Sequence, residues 1–336
     1  MLSLLRRSLL AGLVSASVAV PLSGSEVPAP APVPPPEGLT EARYAAVRRD
    51  ILAAGRMAAG HGQTGRAGAL LAMADPARRF LSFDGRDGGR SAEVFGDLAT
   101  AGRVAVLVPG ADTGFERYRR LRADALALRH ELGERVAVVA WLGYKTPRTF
   151  EAAVLTTARA DGAVPGLQAL VRELGPARVS LLCHSYGAVV CGRAAPGLGG
   201  VAGIVLYGGA GTGTTGPLRT SAPVWAARGS GDWIAAVPHV RFRLPFGDLG
   251  LGQDPVSPGS GARVFAAGDG GHSDYLRPGS LSLRNIAAIV SGATPVSAPV
   301  PTPERAAVSA PEGVPAAGSP PSARRTSAPE GAARRA

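Results

Sequence analysis

Residues 178–195 read RVSLLCHSYGAVVCGRAA, and the architecture of the chain follows from how this stretch is parsed. Val179, Leu181 and Leu182 form an apolar run that stops at Ser185, and Gly187, Ala188 and Gly192 follow at once. This is a strand entering a tight turn and then a helix, with a serine at the tip. A hydroxyl held there is pushed out beyond the carboxyl edge of a sheet. Strand and helix pass close together at such a bend, so the residues two before and two after the serine must be small. Here they are Cys183 and Gly187, giving C-x-S-x-G, one substitution from the G-x-S-x-G nucleophile elbow. A buried strand followed by a helix that merely contains a serine fits the pentapeptide as well, so the flanking sequence has to decide.

Working outward, the chain alternates strands and helices. Arg103–Val108 (RVAVLV) and Arg135–Trp141 (RVAVVAW) are continuous apolar runs, and residues 115–132 and 162–174 have helical period. Val201–Leu206, Val224–Ala227 and Arg263–Ala266 read as further strands, and residues 281–290 as a closing helix. Upstream, residues 39–59 form a helix with Thr40 as its N-cap. RFLSF and SAEVF then make a hairpin around Gly85-Arg86-Asp87-Gly88. Continuous apolar strands between helices predict an α/β fold, a mostly parallel sheet flanked by helices on both faces. Ligands collect at the carboxyl ends of such strands, where Ser185 falls.

A serine hydroxyl needs a base to take its proton. Of five histidines, His184 is read as a packing residue, His61 as solvated, His130 as a late helix residue and His239 as part of an extended VPHVRF segment. His272 stands in the glycine-rich GDGGHSDY, directly after the strand RVFAA, where a loop lets the ring reach the serine. The carboxylate that would orient it is Asp232, in the GSGDW loop after the strand VWAAR, giving the order Ser, Asp, His. An N-cap or turn role for Asp232 is the competing reading. Asp269 and Asp274 are too near His272 in sequence, and Asp248 and Asp254 follow no clear strand. An oxyanion needs two backbone N–H donors: Tyr186, next to the serine, and Ala111, after Gly110 in the loop Pro109–Asp112. Gly110 lets that backbone approach substrate. Asp112 is expected to bond within its loop or to cap the next helix. Trp141 and Tyr144, ahead of Pro147, either line the substrate pocket or pack beneath a loop.

On VLVPGADTGF, VVAWLGYKTP, VSLLCHSYGAVV, ARGSGDWIA and GDGGHSDYL, the chain resembles the α/β-hydrolase superfamily. Within it, the chain is most similar to an actinobacterial α/β-hydrolase family of unassigned substrate. These stretches cover most of residues 102–290. The resemblance implies a serine-hydrolase fold with Ser185, Asp232 and His272 as a triad. Cys183, where the elbow usually carries glycine, departs from the pattern.

The ends of the 336-residue chain differ from its middle. Residues 1–25 have Arg6 and Arg7 ahead of an apolar segment and then small residues, the layout of an export signal by the Sec or twin-arginine route. Residues 26–38 are a Pro-rich linker, 39–292 the α/β-hydrolase domain, and 293–336 a Pro/Ala/Arg-rich tail expected to be disordered. A secreted or cell-envelope location follows. The formal charge of +11 invites a nucleic-acid partner, but aromatics are only 5% and the arginines are scattered, which leaves no platform for stacking bases. The charge does allow loose association with the cell envelope. Cys183 and Cys191 read as small buried residues rather than a disulfide. GTGTTG at 211–216 matches G-x-G-x-x-G, but no helix follows to receive a pyrophosphate, so it reads as a flexible loop over the site. No pair has zinc spacing. Neither a cofactor nor a metal is expected.

The sequence thus points to an exported serine hydrolase acting on a small-molecule or lipid ester. An amidase or peptidase on the same three residues, or a silent hydrolase fold used as a binding scaffold, remain as alternatives. Oligomeric state is not encoded in any motif.

Overall fold

The computed structural model describes residues 28–298, apart from 238, 240–241 and 245–246. The expected export signal and residues 299–336 of the expected tail lie outside the described residues.

Eight strands form one sheet in the order β1-β2-β4-β3-β5-β6-β7-β10. These are β1 (Arg79–Asp84), β2 (Arg90–Phe95), β3 (Arg103–Val108), β4 (Val136–Leu142), β5 (Val179–His184), β6 (Gly203–Tyr207), β7 (Val224–Ala227) and β10 (Arg263–Val264). The pairs β1–β2 and β2–β4 are antiparallel, and every other neighbouring pair is parallel. The helices are α1 (Glu41–Gly60), α2 (Thr64–Met73), α3 (Tyr118–Leu132), α4 (Ala158–Leu174), α5 (Tyr186–Ala194) and α6 (Leu281–Ser291). The expected mostly parallel sheet with helices on both faces is the fold observed.

Strand composition follows from this layering. In β3, Val104, Val106 and Val108 pack toward α4 and α5, while Ala105 and Leu107 face α1, α3 and α6. A strand covered on both sides has no polar face, which is why RVAVLV is apolar throughout. Thr40 caps α1 as expected, its hydroxyl accepting the Arg43 amide at 3.3 Å. Glu93 lies in β2 with almost no exposure, and Arg78 binds both its oxygens at 2.6 and 2.8 Å, so the buried charge is paired.

Three expectations need correction. Cys183 in β5 and Cys191 in α5 form a disulfide with Cα atoms 6.4 Å apart. The turn at Ser185 folds α5 back along β5, which brings residues eight positions apart within bonding reach. Second, the domain does not stop at residue 292. The Ala266 amide donates to the Val296 carbonyl at 2.9 Å, Phe265 bridges Ser297, and Asn285 Oδ1 accepts the Val296 amide at 3.0 Å. Backbone pairing, not apolar burial, holds residues 296–297. Third, Thr212 to Gly216 do not cover the site. The Thr212 and Gly213 amides bond Gln253 and Leu251, and Gly192 of α5 lies so close that a Cβ there would sit 1.8 Å from the Thr212 carbonyl oxygen.

Two elements carried no clear sequence signal. Helix α2 packs on α1, and a small antiparallel hairpin joins β8 (Phe242–Leu244) to β9 (Gly247–Leu249).

Candidate active site

The sheet order places β3 between β4 and β5, so the chain crosses over β3 on its way from β4 to β5. Crevices open at such switch points, at the carboxyl ends of the strands. Val108 of β3 pairs in register with Cys183 of β5, so the loop from Pro109 and the turn at Ser185 emerge side by side.

Ser185 adopts φ 54° and ψ −121°, a conformation a non-glycine residue rarely takes. The surroundings hold it there. Its amide donates to the Tyr207 carbonyl at 3.2 Å, and its own carbonyl accepts from Ala188 and Ala210 at 3.0 and 3.3 Å. The requirement for a small residue after the serine has a measurable basis: a Cβ at Gly187 would lie 2.3 Å from the Val108 carbonyl oxygen. On the other side, the disulfide ties the Cys183 side chain to α5.

His272 Nε2 stands 2.9 Å from Ser185 Oγ, and its Nδ1 stands 2.9 and 3.1 Å from the two Asp232 oxygens. Three side chains from separate loops thus meet in one line. Asp232 is buried, and burial alone would push its carboxyl up. Hydrogen bonds from His272, from Tyr275 and from the Ile234 amide outweigh this and hold it below the ordinary carboxylate value. The ionised Asp232 requires Nδ1 of His272 to carry the proton, which leaves Nε2 as the acceptor facing the serine hydroxyl. Asp232 also caps the short 3-10 turn that follows it, so the N-cap role that competed in the sequence coexists with the contact to His272.

Two residues around this line were not read as part of the site in the sequence. Tyr275, three positions after His272, donates to Asp232 Oδ2 at 2.6 Å and accepts the Gly229 amide at 3.0 Å. His184, beside the serine, donates from Nε2 to the His272 carbonyl at 2.8 Å. Burial first, and then the nearby His272, lower the His184 pKa to about 3, so the ring stays neutral. Trp233 rests its ring against His272, with centroids 4.7 Å apart.

Gly110 passes so near the serine that a Cβ on it would lie 2.6 Å from Ser185 Cβ. Ala111 follows Gly110 and Tyr186 follows Ser185 in the chain, and among the described residues the amide of neither is bonded to a protein acceptor. Asp112, at φ 60°, neither bonds within its loop nor caps a helix. Its carboxylate is held by the amide and hydroxyl of Thr149, with Arg117 at 3.8 Å, which turns its charge toward donors. A cavity of about 420 Å³ opens over Ser185. Val154, Ile234, Val237 and Leu251 form an apolar side of it, while Arg117, Arg120 and Asp124 stand on a polar one.

Trp141 and Tyr144 do not line this cavity. Both are buried, and Tyr144 donates to the Pro109 carbonyl at 2.6 Å and stacks on Tyr186. Packing, the second of the two sequence readings, is what they do, and through it Tyr144 braces the loop that carries Gly110. The rival groups are occupied elsewhere. Asp254 binds Arg228 with both oxygens, His239 lies 3.3 Å from the same arginine, and Asp274 accepts the Gly271 amide at 2.9 Å. Asp248 lies in β9, Asp269 is exposed, and His61 and His130 are exposed on helix ends. Among the described residues no group of His, Cys, Asp or Glu could hold a metal ion.

The sheet order, the flanking helices and the serine at a strained strand-to-helix turn define an α/β-hydrolase fold. A family model described as "Alpha/beta hydrolase" matches residues 84–242, in keeping with that fold. Solved structures that resemble it include an esterase, PE8, at 19% identity, covering 60% of this chain and 98% of its own, with a TM-score of 0.41. Another is XC6422 from Xanthomonas campestris, titled a serine hydrolase without lid, at 16% identity, covering 64% and 92%, with a TM-score of 0.40. A third is a putative aryl esterase from Burkholderia cenocepacia at 12% identity, covering 64% and 98%, with a TM-score of 0.41. No curated protein matches the sequence.

Proposed function

We propose that this protein is an exported serine hydrolase that cleaves carboxylic esters through an acyl-enzyme. The observation that carries the reading is the His272 ring spanning Ser185 Oγ and Asp232, 2.9 Å from each. Ser185 Oγ attacks the ester carbonyl carbon while its proton passes to His272 Nε2. Asp232 stabilises the resulting imidazolium. The negative charge on the former carbonyl oxygen is met by the Ala111 and Tyr186 amides, fixed donors that need no reorganisation during the reaction. Collapse breaks the bond to the leaving oxygen, which takes the proton from His272. Water, deprotonated by the same nitrogen, then attacks the acyl-serine and releases the acid with Ser185 restored.

An export route is supported by the signal-like residues 1–25 and by the Cys183–Cys191 disulfide, a bond that persists in oxidising compartments. The actinobacterial grouping belongs to the same proposal.

A fluorophosphonate probe with a panel of p-nitrophenyl esters of graded chain length tests the reading. The full chain is expected to label at Ser185 and to hydrolyse esters. Ser185→Ala is expected to lose both, with an unfolding midpoint within about 3 °C of the parent. Hydrolysis surviving in Ser185→Ala, or a label on another residue, would overturn it.

A further inference from the structure

Nine large apolar side chains are exposed among the described residues, and four of them surround one opening. Phe150 is wholly exposed, Trp233 is 54% exposed, Leu155 50% and Leu249 40%. Leu155 and Trp233 line the cavity over Ser185, and Phe150 follows Thr149, another lining residue. Leu249 is tied to the same rim, because the Gly250 amide donates to the Leu155 carbonyl at 2.7 Å and Thr156 bridges Leu249. Three segments far apart in sequence thus bring bare apolar side chains to one mouth. Isolated exposed apolar residues are ordinary, but a cluster of them around an opening marks a contact surface.

Charge indicates what the surface meets. The side chains of Arg148, two residues before Phe150, and of Arg117, which lines the cavity, are 80% and 73% exposed. Each is in a loose ion pair, with Glu151 at 3.7 Å and Asp112 at 3.8 Å, that leaves most of its side chain open to solvent, and the chain as a whole carries +11. Aromatic and aliphatic side chains flanked by arginines suit the boundary between acyl chains and anionic headgroups. A protein partner or a second copy seated on these residues would close the mouth through which substrate enters. A lipid surface does not, since it can itself deliver the substrate.

We propose that Phe150, Leu155, Trp233 and Leu249 dock the protein on an anionic lipid surface, so that the ester enters the cavity from lipid rather than from water. This substrate class rests on the hydrolytic reading of Ser185; the docking does not.

Trp233 supplies a local reporter, because Trp141 is buried and Trp225 only partly exposed. Adding mixed phosphatidylglycerol and phosphatidylcholine vesicles to the full chain is expected to shift its fluorescence to the blue, and to shift that of Trp233→Phe far less. The double variant Phe150→Ser/Leu249→Ser touches neither the cavity lining nor the serine. It is expected to lose the shift and to lose about tenfold or more of the hydrolysis of a long-chain ester held in vesicles. Its rate on soluble p-nitrophenyl acetate is expected to stay at the parent level.

No shift with the parent chain, or an equal shift with the double variant, would overturn the proposal. An equal shift on phosphatidylcholine alone would overturn its anionic part. A dimer in sedimentation that the double variant abolishes, with no response to vesicles, would make a second copy the occupant instead. A shift without hydrolysis of either ester would leave the docking intact and remove the hydrolytic reading.

Discussion

The Tyr275 hydroxyl donates to Asp232 Oδ2 at 2.6 Å while accepting the Gly229 amide at 3.0 Å, so one buried side chain joins the loop of His272 to the loop of Asp232. Burial and the adjacent Asp232 carboxylate raise the phenol above its ordinary value, which keeps it a donor at every working pH. The hydroxyl helps hold the Asp232 carboxylate in the orientation in which both its oxygens face His272 Nδ1. Positioning of this kind acts through the imidazole rather than on the substrate.

Tyr275→Phe removes one of the donors to Asp232 Oδ2 and leaves the Gly229 amide without its acceptor. A hydrogen bond to a charged group is worth about 1.5–3 kcal/mol, so the variant is expected to lose about that much stability in urea titration. It is also expected to lower kcat by roughly tenfold with KM little changed, as for an interaction that matters most when the imidazolium forms. A KM effect with unchanged kcat would make the tyrosine part of the pocket wall instead.

The Cys183–Cys191 bond closes a loop of eight residues across the strand, the turn and the helix that carry Ser185. Loop-closure entropy for so short a loop gives about 2–3 kcal/mol. Wild type in reducing agent, and the variant Cys183→Gly/Cys191→Ala, are each expected to unfold about 5–8 °C lower by calorimetry. The variant restores glycine before the serine, so its kcat is expected to stay within about threefold of the parent. Cys183→Leu is expected to be inactive, since a branched side chain has no room where β5 and α5 meet. A fully active leucine variant would argue against the tight bend.

His184 stays neutral in the folded chain because burial, and then its neighbour His272, lower its pKa from 6.5 to about 3. The unfolded chain protonates this ring below pH 6.5 and the folded one does not, so its share of stability is present above 6.5 and declines as pH falls toward 3. The ring keeps some exposure, which limits the loss to about 2 kcal/mol. His184→Gln keeps a donor for the His272 carbonyl but cannot titrate. Its stability between pH 6.5 and 4 is expected to fall less steeply than that of the parent in urea titrations. Parallel slopes would mean another group dominates the acid limb.

What the sequence disclosed and what it hid divide along physical lines. The runs of β3, β4 and β5 were legible because strands buried on both faces leave no polar alternation to interpret. Asp232 and His272 were legible because each follows a strand in a glycine-rich loop, and the sheet direction then dictates which edge they reach. The disulfide was hidden because its geometry depends on how sharply the chain doubles back at Ser185, not on the spacing of the cysteines. The choice between packing and pocket lining for Trp141 and Tyr144 stayed open because the direction of a side chain at a strand end depends on register with neighbours. Composition misled at residues 296–297, where Val and Ser are held by backbone bonds to Phe265 and Ala266, just past β10, and by the amide of Asn285.

Asp124 lies on the polar side of the cavity, and burial raises its carboxyl from 3.8 to about 6 against the opposing charge of Arg120. A carboxyl that titrates near 6 when folded but near 4 when unfolded binds its proton more readily in the folded chain. Its favourable contribution is therefore complete below about pH 4 and is lost as pH rises through 6. At pH 8 the folded chain carries a half-buried anion at a cost of about 2 kcal/mol. Asp124→Asn removes that charge while keeping the shape, so it is expected to raise the unfolding midpoint at pH 8 by about 4–6 °C. The gain is expected to vanish at pH 4, where the parent side chain is already protonated. A midpoint difference that does not change between pH 4 and pH 8 would show that Asp124 is not titrating in this range, and that its neighbours hold it ionised throughout.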